Sequence, residues 1–148
     1  MRADRLSRAR IALAARAWIG TPYHHQASTK TVGTDCLGLV RGVYREVMGQ
    51  DAVRPPAYTA DWAEVCGRET LIEAARLHLD ERPPDDAGVG DVVIFRMRPG
   101  APAKHAAILV SKIAFVHATE RVGAVEARLT SWWRRRLVAA FAFPGVED

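Results

Sequence analysis

The sequence predicts an α+β domain in which amphipathic N-terminal helices cover one face of a C-terminal antiparallel sheet of about five strands. Three observations carry this expectation. Apolar residues recur at helical spacing as far as Leu79; short β-branched runs bounded by Gly, Pro and polar residues replace them from Gly88 onward; and a chain of 148 residues has the usual length of one domain. A composition that is 49% hydrophobic and 26% charged is globular, and no repeat, low-complexity run or linker divides residues 1–148.

The elements follow in order. Leu6, Ile11, Leu13, Ala14, Ala17 and Trp18 share helical spacing, and Gly20-Thr21-Pro22 ends that run. After a polar loop, Leu37, Val40, Tyr44, Val47 and Met48 repeat at i, i+3, i+7, i+10 and i+11, with Asp35 placed to cap the start and Gly49 to end it. Residues 51–60 contain Pro55-Pro56 and read as loop. Trp62 to Cys66 and Glu69 to Leu79 read as shorter helices, closed by Pro83-Pro84. The predicted strands are Asp91 to Phe95, Ala106 to Ser111, Ile113 to Ala118, Gly123 to Ala127 and Leu137 to Phe143.

Composition narrows the function classes. The longest apolar stretch, around Ala106 to Val110, is far short of the roughly 18 to 20 residues a membrane helix needs. Met1 to Arg16 carries five Arg with no continuous apolar core behind them, so no signal peptide is expected and synthesis is expected in the cytoplasm. Two cysteines, Cys36 and Cys66, are too few for a disulfide framework and too far apart for a Cys-x-x-Cys pair; one bridge stays open, while a zinc site or other metal cofactor has no support. The net charge of +4 is unevenly spread: residues 46–91 hold 11 acids and 4 Arg, net −7, and the rest holds 17 basic and 6 acidic residues, net +11. Basic surface attracts any polyanion, and no zinc-finger, helix-turn-helix or RNA-binding motif turns that into nucleic-acid recognition. Trp132 to Arg136 reads as a terminal helical turn whose Trp residues pack while the Arg residues stay in water.

Candidate chemistry gathers at three positions. Cys36 falls in the first turn of the strongest predicted helix, where free backbone N–H groups and the helix dipole favour a thiolate; it reads either as a nucleophile or as a small buried helix residue. His105 and His117 flank neighbouring predicted strands, so a hairpin can bring them together. A thiol nucleophile needs a base, and the base needs a polar group on its second ring nitrogen. Cys36, His105 and His117 supply one candidate for each role. His24, His25 and His78 read as ordinary surface or core residues.

Gly20-Thr21-Pro22-Tyr23, Thr34-Asp35-Cys36-Leu37-Gly38-Leu39-Val40, Gly90-Asp91-Val92-Val93-Ile94-Phe95, His105-Ala106-Ala107-Ile108 and Phe115-Val116-His117-Ala118 occur in that order. In this the chain resembles the NlpC-type papain-like cell-wall cysteine peptidases, over nearly its whole length. Within them it is most similar to the short peptidases of phage tail and gene-transfer-agent clusters, through Gln26-Ala27-Ser28, Arg96-Met97-Arg98 and Trp132-Trp133-Arg134-Arg135-Arg136. Two departures stand out: Leu37 replaces the Ser usual after the nucleophile, and His24-His25 replaces glycines common after the Pro-Tyr pair.

The resemblance implies a papain-like fold and a thiol endopeptidase that cuts the stem peptide of peptidoglycan, between γ-linked D-Glu and diaminopimelate. It implies that Cys36 attacks, His105 acts as base and acid, and His117 orients His105. Tyr23 would stand at the oxyanion or serve as a packing aromatic, and Asp35 would hold a substrate amine, cap the helix, or both. It further implies delivery by a tail or baseplate, with hub or baseplate proteins as partners and the target-cell periplasm as the place of action. Basic surface around the site would then meet an anionic wall polymer. An amidase of the same fold, a silent structural tail subunit and a nucleic-acid binder are the rival readings.

Overall fold

The computed structural model describes residues 5–50 and 69–147. The loop expected over 51–60, the helix expected over Trp62 to Cys66 and any pairing of Cys66 lie outside the described residues.

Helix α1 spans Arg8–Arg16, its first turn held by the Ser7 hydroxyl, which accepts the Arg10 N–H. It buries Ile11, Ala12, Ala14 and Ala15, while Leu13, counted in the apolar stripe from its spacing, is 70% exposed. Leu13 lies two residues past Ile11, about 200° around a helix, so the two cannot share a face. Helix α2 spans Cys36–Met48, with Asp35 as N-cap and Gly49 as a left-handed C-cap at φ 76°. The indole of Trp18 lies where a side chain at position 42 would be: a Cβ on Gly42 would meet it at 2.1 Å, so the glycine is what lets α1 and α2 close together. Helix α3 spans Thr70–His78 and buries Leu71 and Ile72.

A two-residue hairpin, β1 (Ser28–Thr29) and β2 (Gly33–Thr34), lies inside the predicted polar loop. The main sheet contains β3 (Asp80–Arg82), β4 (Val92–Phe95), β5 (His105–Leu109), β6 (Ala114–Thr119), β7 (Gly123–Arg128) and β8 (Leu137–Ala142). The spatial order is β3-β8-β4-β5-β6-β7, with every pairing antiparallel, so β8 is inserted between β3 and β4. Among the described residues this sheet has six strands where five were expected. The sequence Asp80-Glu81-Arg82 has no apolar alternation, and its strand exists because its backbone pairs with β8; as an edge strand it presents charge to solvent. Short helix α4, Ser131–Arg134, precedes β8 and supplies the expected terminal turn, but only Trp133 packs against the core, Trp132 being 43% exposed.

Both faces of the sheet are covered. Val92, Ile94, Ala106, Ile108, Val116 and Phe141 pack into the core shared with α1 and α2. Val93, Phe95, Ala107, Leu109, Phe115 and Ala140 form a second cluster with Leu129, against which Trp133 and Leu137 pack. Burial on both sides explains why these strands read as continuous apolar runs rather than as alternation. At the start of β4, Asp91 is fully buried and ties α1 to the sheet: Arg8 Nη1 donates to its Oδ1 at 2.8 Å and to the Val89 carbonyl at 2.9 Å, while the Gly88 N–H donates to Oδ2 at 2.9 Å. Among the described residues no helix is long and apolar enough to cross a membrane.

Candidate active site

The site is assembled where the start of α2 meets the first residue of β5. Asp35 is 3% exposed and its carboxylate does two jobs: Oδ1 accepts the Gly38 N–H at 2.7 Å, capping α2, and Oδ2 accepts the Gln26 N–H at 2.8 Å, pinning the preceding loop to the same helix end. Gly38 is required for that closeness, because a Cβ there would sit 1.8 Å from the Ala27 carbonyl oxygen. The first residue beyond the cap is Cys36. Backbone N–H groups of Ala106, Leu37 and Cys36 itself act on its sulfur, and the thiol donates to the Lys104 carbonyl oxygen at 3.6 Å.

His105 opens β5, opposite Phe95 on β4. Its Nε2 lies 2.7 Å from Nδ1 of His117 on β6, so the two imidazoles share one hydrogen bond. A single indole, that of Trp133 from α4, stacks on His105 at 5.8 Å between centroids and meets His117 edge-on at 5.4 Å. These groups line a cavity of about 380 Å³ together with Tyr23, Asp35, Cys36 and Met97. The five residues singled out in the sequence, Cys36, His105, His117, Tyr23 and Asp35, therefore all reach one groove.

The electrostatics differ from the sequence expectation. A helix N-terminus was expected to favour the thiolate. In the structure burial pushes the Cys36 thiol up to about 11, and the neighbouring Asp35 charge adds to this; together they outweigh the backbone N–H groups that favour the anion. Burial likewise pushes His105 down to about 3, with His117 adding to the shift, and His117 down to about 4. Burial thus favours the neutral form of both the thiol and the imidazole at rest. Tyr23 is raised to about 12, first by burial, then by the charge of Asp35 and, in the alkaline range where it titrates, by that of the Cys36 thiolate, so its hydroxyl keeps its proton and remains a donor.

Two contributors escaped the sequence reading: Trp133 was expected only to pack, and the Lys104 carbonyl carries no signal in a sequence. His25, one of the pair expected to add bulk and charge beside the site in place of glycines, lines the groove with Nδ1 4.0 Å from Oδ2 of Asp35. His24, the other member of that pair, is not in the groove lining and lies against Gly33, while His78 is edge-on to Tyr44 as an ordinary packing histidine. No group of three or more His, Cys, Asp or Glu side chains among the described residues could hold a metal ion.

The chain is similar in fold to several solved structures. The NlpC/p60 domain of the peptidoglycan hydrolase SagA shares 22% identity, with 93% of this chain and 100% of that one aligned at a TM-score of 0.68. An NLP/P60-family protein similar to a lipoprotein, from Staphylococcus aureus, shares 20% identity over 100% of this chain and 46% of that one, at a TM-score of 0.63. NlpC2 from Trichomonas vaginalis shares 18% over 96% and 48%, at 0.67. This chain thus spans the whole of the first and about half of each of the other two. No curated protein matches it. The family model described as NlpC/P60 matches residues 20–142, a stretch that contains Tyr23, Asp35, Cys36, His105, His117 and Trp133, and on that match the chain belongs to the NlpC/P60 family.

Proposed function

We propose that this chain is a cysteine endopeptidase that hydrolyses the stem peptide of bacterial peptidoglycan, at the bond between γ-linked D-Glu and diaminopimelate, carried on the tail or baseplate of a phage or gene-transfer-agent particle. Its family is one of cysteine peptidases and hydrolases, and SagA, whose NlpC/p60 domain it spans completely, is a peptidoglycan hydrolase. The observation that carries the reading is the convergence of Cys36, His105 and His117 on one groove, with Nε2 of His105 bonded to Nδ1 of His117. The tail assignment rests on the segments shared with that branch, Gln26 to Ser28, Arg96 to Arg98 and Trp132 to Arg136.

In the reaction Nε2–H of His105 donates to Nδ1 of His117, leaving the Nδ1 lone pair of His105 for the thiol proton. As the proton moves, the Cys36 sulfur bonds to the scissile carbonyl carbon, and the carbonyl oxygen takes the negative charge. The Cys36 N–H and the Tyr23 hydroxyl stabilise that oxyanion. Its collapse breaks the C–N bond, and His105 returns the proton to the leaving amine. A thioester remains, which water cleaves after giving its proton to His105, regenerating the thiol. Because both resting groups are neutral, proton transfer is coupled to attack rather than preceding it.

One observation favours a rival, a tail subunit that keeps the fold without the chemistry: the thiol bonds to the Lys104 carbonyl rather than to His105. Purified sacculi incubated with the protein and with Cys36→Ala decide between them. The peptidase releases muropeptides, identified by mass spectrometry, that the variant does not; equal products, or none, overturn it, and the mass of the new amine terminus separates endopeptidase from amidase.

A further inference from the structure

The His105–His117 hydrogen bond joins two neutral rings, so its direction depends on which tautomers are populated. Only one arrangement, His105 protonated on Nε2 and His117 accepting on Nδ1, leaves Nδ1 of His105 for the thiol. Water reaching the pair would offer each nitrogen another partner and allow the unproductive tautomer.

Trp133 is placed to prevent this. Its indole lies nearly parallel to His105, at 29°, and perpendicular to His117, at 89°, so one side chain touches both imidazoles although they come from different strands. The indole is itself fixed. Phe95 meets it at 4.8 Å and Phe115 at 5.1 Å, both edge-on and both fully buried; Phe115 also meets His117 at 4.8 Å. Its sequence neighbour has a different setting: Trp132 is 43% exposed and carries the Arg136 guanidinium 3.6 Å above its ring. The two tryptophans of α4 are therefore not equivalent packing residues.

We propose that Trp133 is the positioning residue of the imidazole pair, fixing the His105 ring and keeping water from the His105–His117 hydrogen bond so that one tautomer alone is populated. Its consequence for turnover rests on the peptidase reading; the tautomer itself does not.

The test uses the full chain with 15N-labelled histidine, as wild type and as Trp133→Phe, Trp133→Leu and Trp133→Ala, each checked for folding by its unfolding temperature. Nitrogen shifts at neutral pH are expected to show His105 wholly protonated on Nε2 in the wild type and in Trp133→Phe, which keeps a flat apolar face. Mixed tautomers are expected in Trp133→Ala and in Trp133→Leu, which keeps apolar volume without that face and carries the prediction if the alanine variant does not fold. On soluble muropeptides, kcat is expected to fall at least about tenfold in Trp133→Leu, with KM within about threefold, and Trp133→Phe to restore most of it. A single Nε2–H tautomer in every folded variant, or a loss lying wholly in KM, overturns the proposal. If the wild type cleaves no muropeptide, the peptidase reading falls, and the nitrogen shifts still decide the role of Trp133.

Discussion

Iodoacetamide alkylation of Cys36 across a pH series tests the electrostatics directly. With the thiol pushed up to about 11, its thiolate fraction near neutral pH is about one in ten thousand, against about 3% for a free cysteine of pKa about 8.5. That is a deficit of about 300-fold. A thiolate of higher pKa is also the better nucleophile, by about 10- to 20-fold over this interval for a Brønsted slope of about 0.4 to 0.5, so net alkylation should be about 15- to 30-fold slower than for a free thiol. The rate should climb tenfold per pH step through the neutral range and level off only near pH 11. Steric occlusion would lower the whole profile without moving its inflection, so the inflection carries the conclusion. A plateau between about pH 4 and 8, with Cys36 faster than N-acetylcysteine, would mean a thiolate–imidazolium pair and would refute the argument from burial. Slow labelling at neutral pH is therefore what the active enzyme itself should show, and says nothing in favour of a silent subunit.

The other predictions concern the oxyanion, the fold and acid stability. Tyr23→Phe removes one oxyanion donor and should lower kcat with little change in KM, by up to the about 2.7 to 4 kcal/mol typical of such donors, in muropeptide assays; an unchanged kcat would make Tyr23 a packing residue. Asp91→Ala removes the buried carboxylate to which Arg8 and the Gly88 N–H donate and should cost about 3 to 5 kcal/mol in denaturant unfolding, whereas loss below about 1 kcal/mol would mean the pair is replaceable. His105 and His117 are held below their ordinary value, so the folded state resists their protonation: their contribution is fully present above about pH 6.5 and is lost as pH falls toward about 4 and then 3. The unfolding temperature should fall across that window, and His105→Gln combined with His117→Gln should flatten the fall.

Much of this architecture is legible in the chain, because local physics agrees with the fold. Helix α2 is announced by Asp35, its apolar stripe and Gly49, and β4 to β8 by apolar runs between turn residues. Edge strand β3 is not, because backbone pairing with β8 rather than side-chain pattern creates it. Cys36, His105 and His117 could be picked out by residue type, order and resemblance. Their protonation states could not, since the helix terminus that favours a thiolate is a local feature while the burial that opposes it comes from β5 and the groove walls. The role of Trp133 was hidden for the same reason: 28 residues separate it from the ring it covers, and no periodicity links an indole on one short turn to an imidazole at the mouth of a strand.

The placement of β8 has a consequence for how the molecule is made. Strands β3 and β4 follow each other in the chain yet acquire their common neighbour only when residues 137–142 have left the ribosome. Until then β4 keeps an open flank, and the Trp133 turn has no strand to lead into. A nascent chain can therefore hold every reactive side chain before the sheet is closed, and the groove is complete only once residues 137–142 have been made.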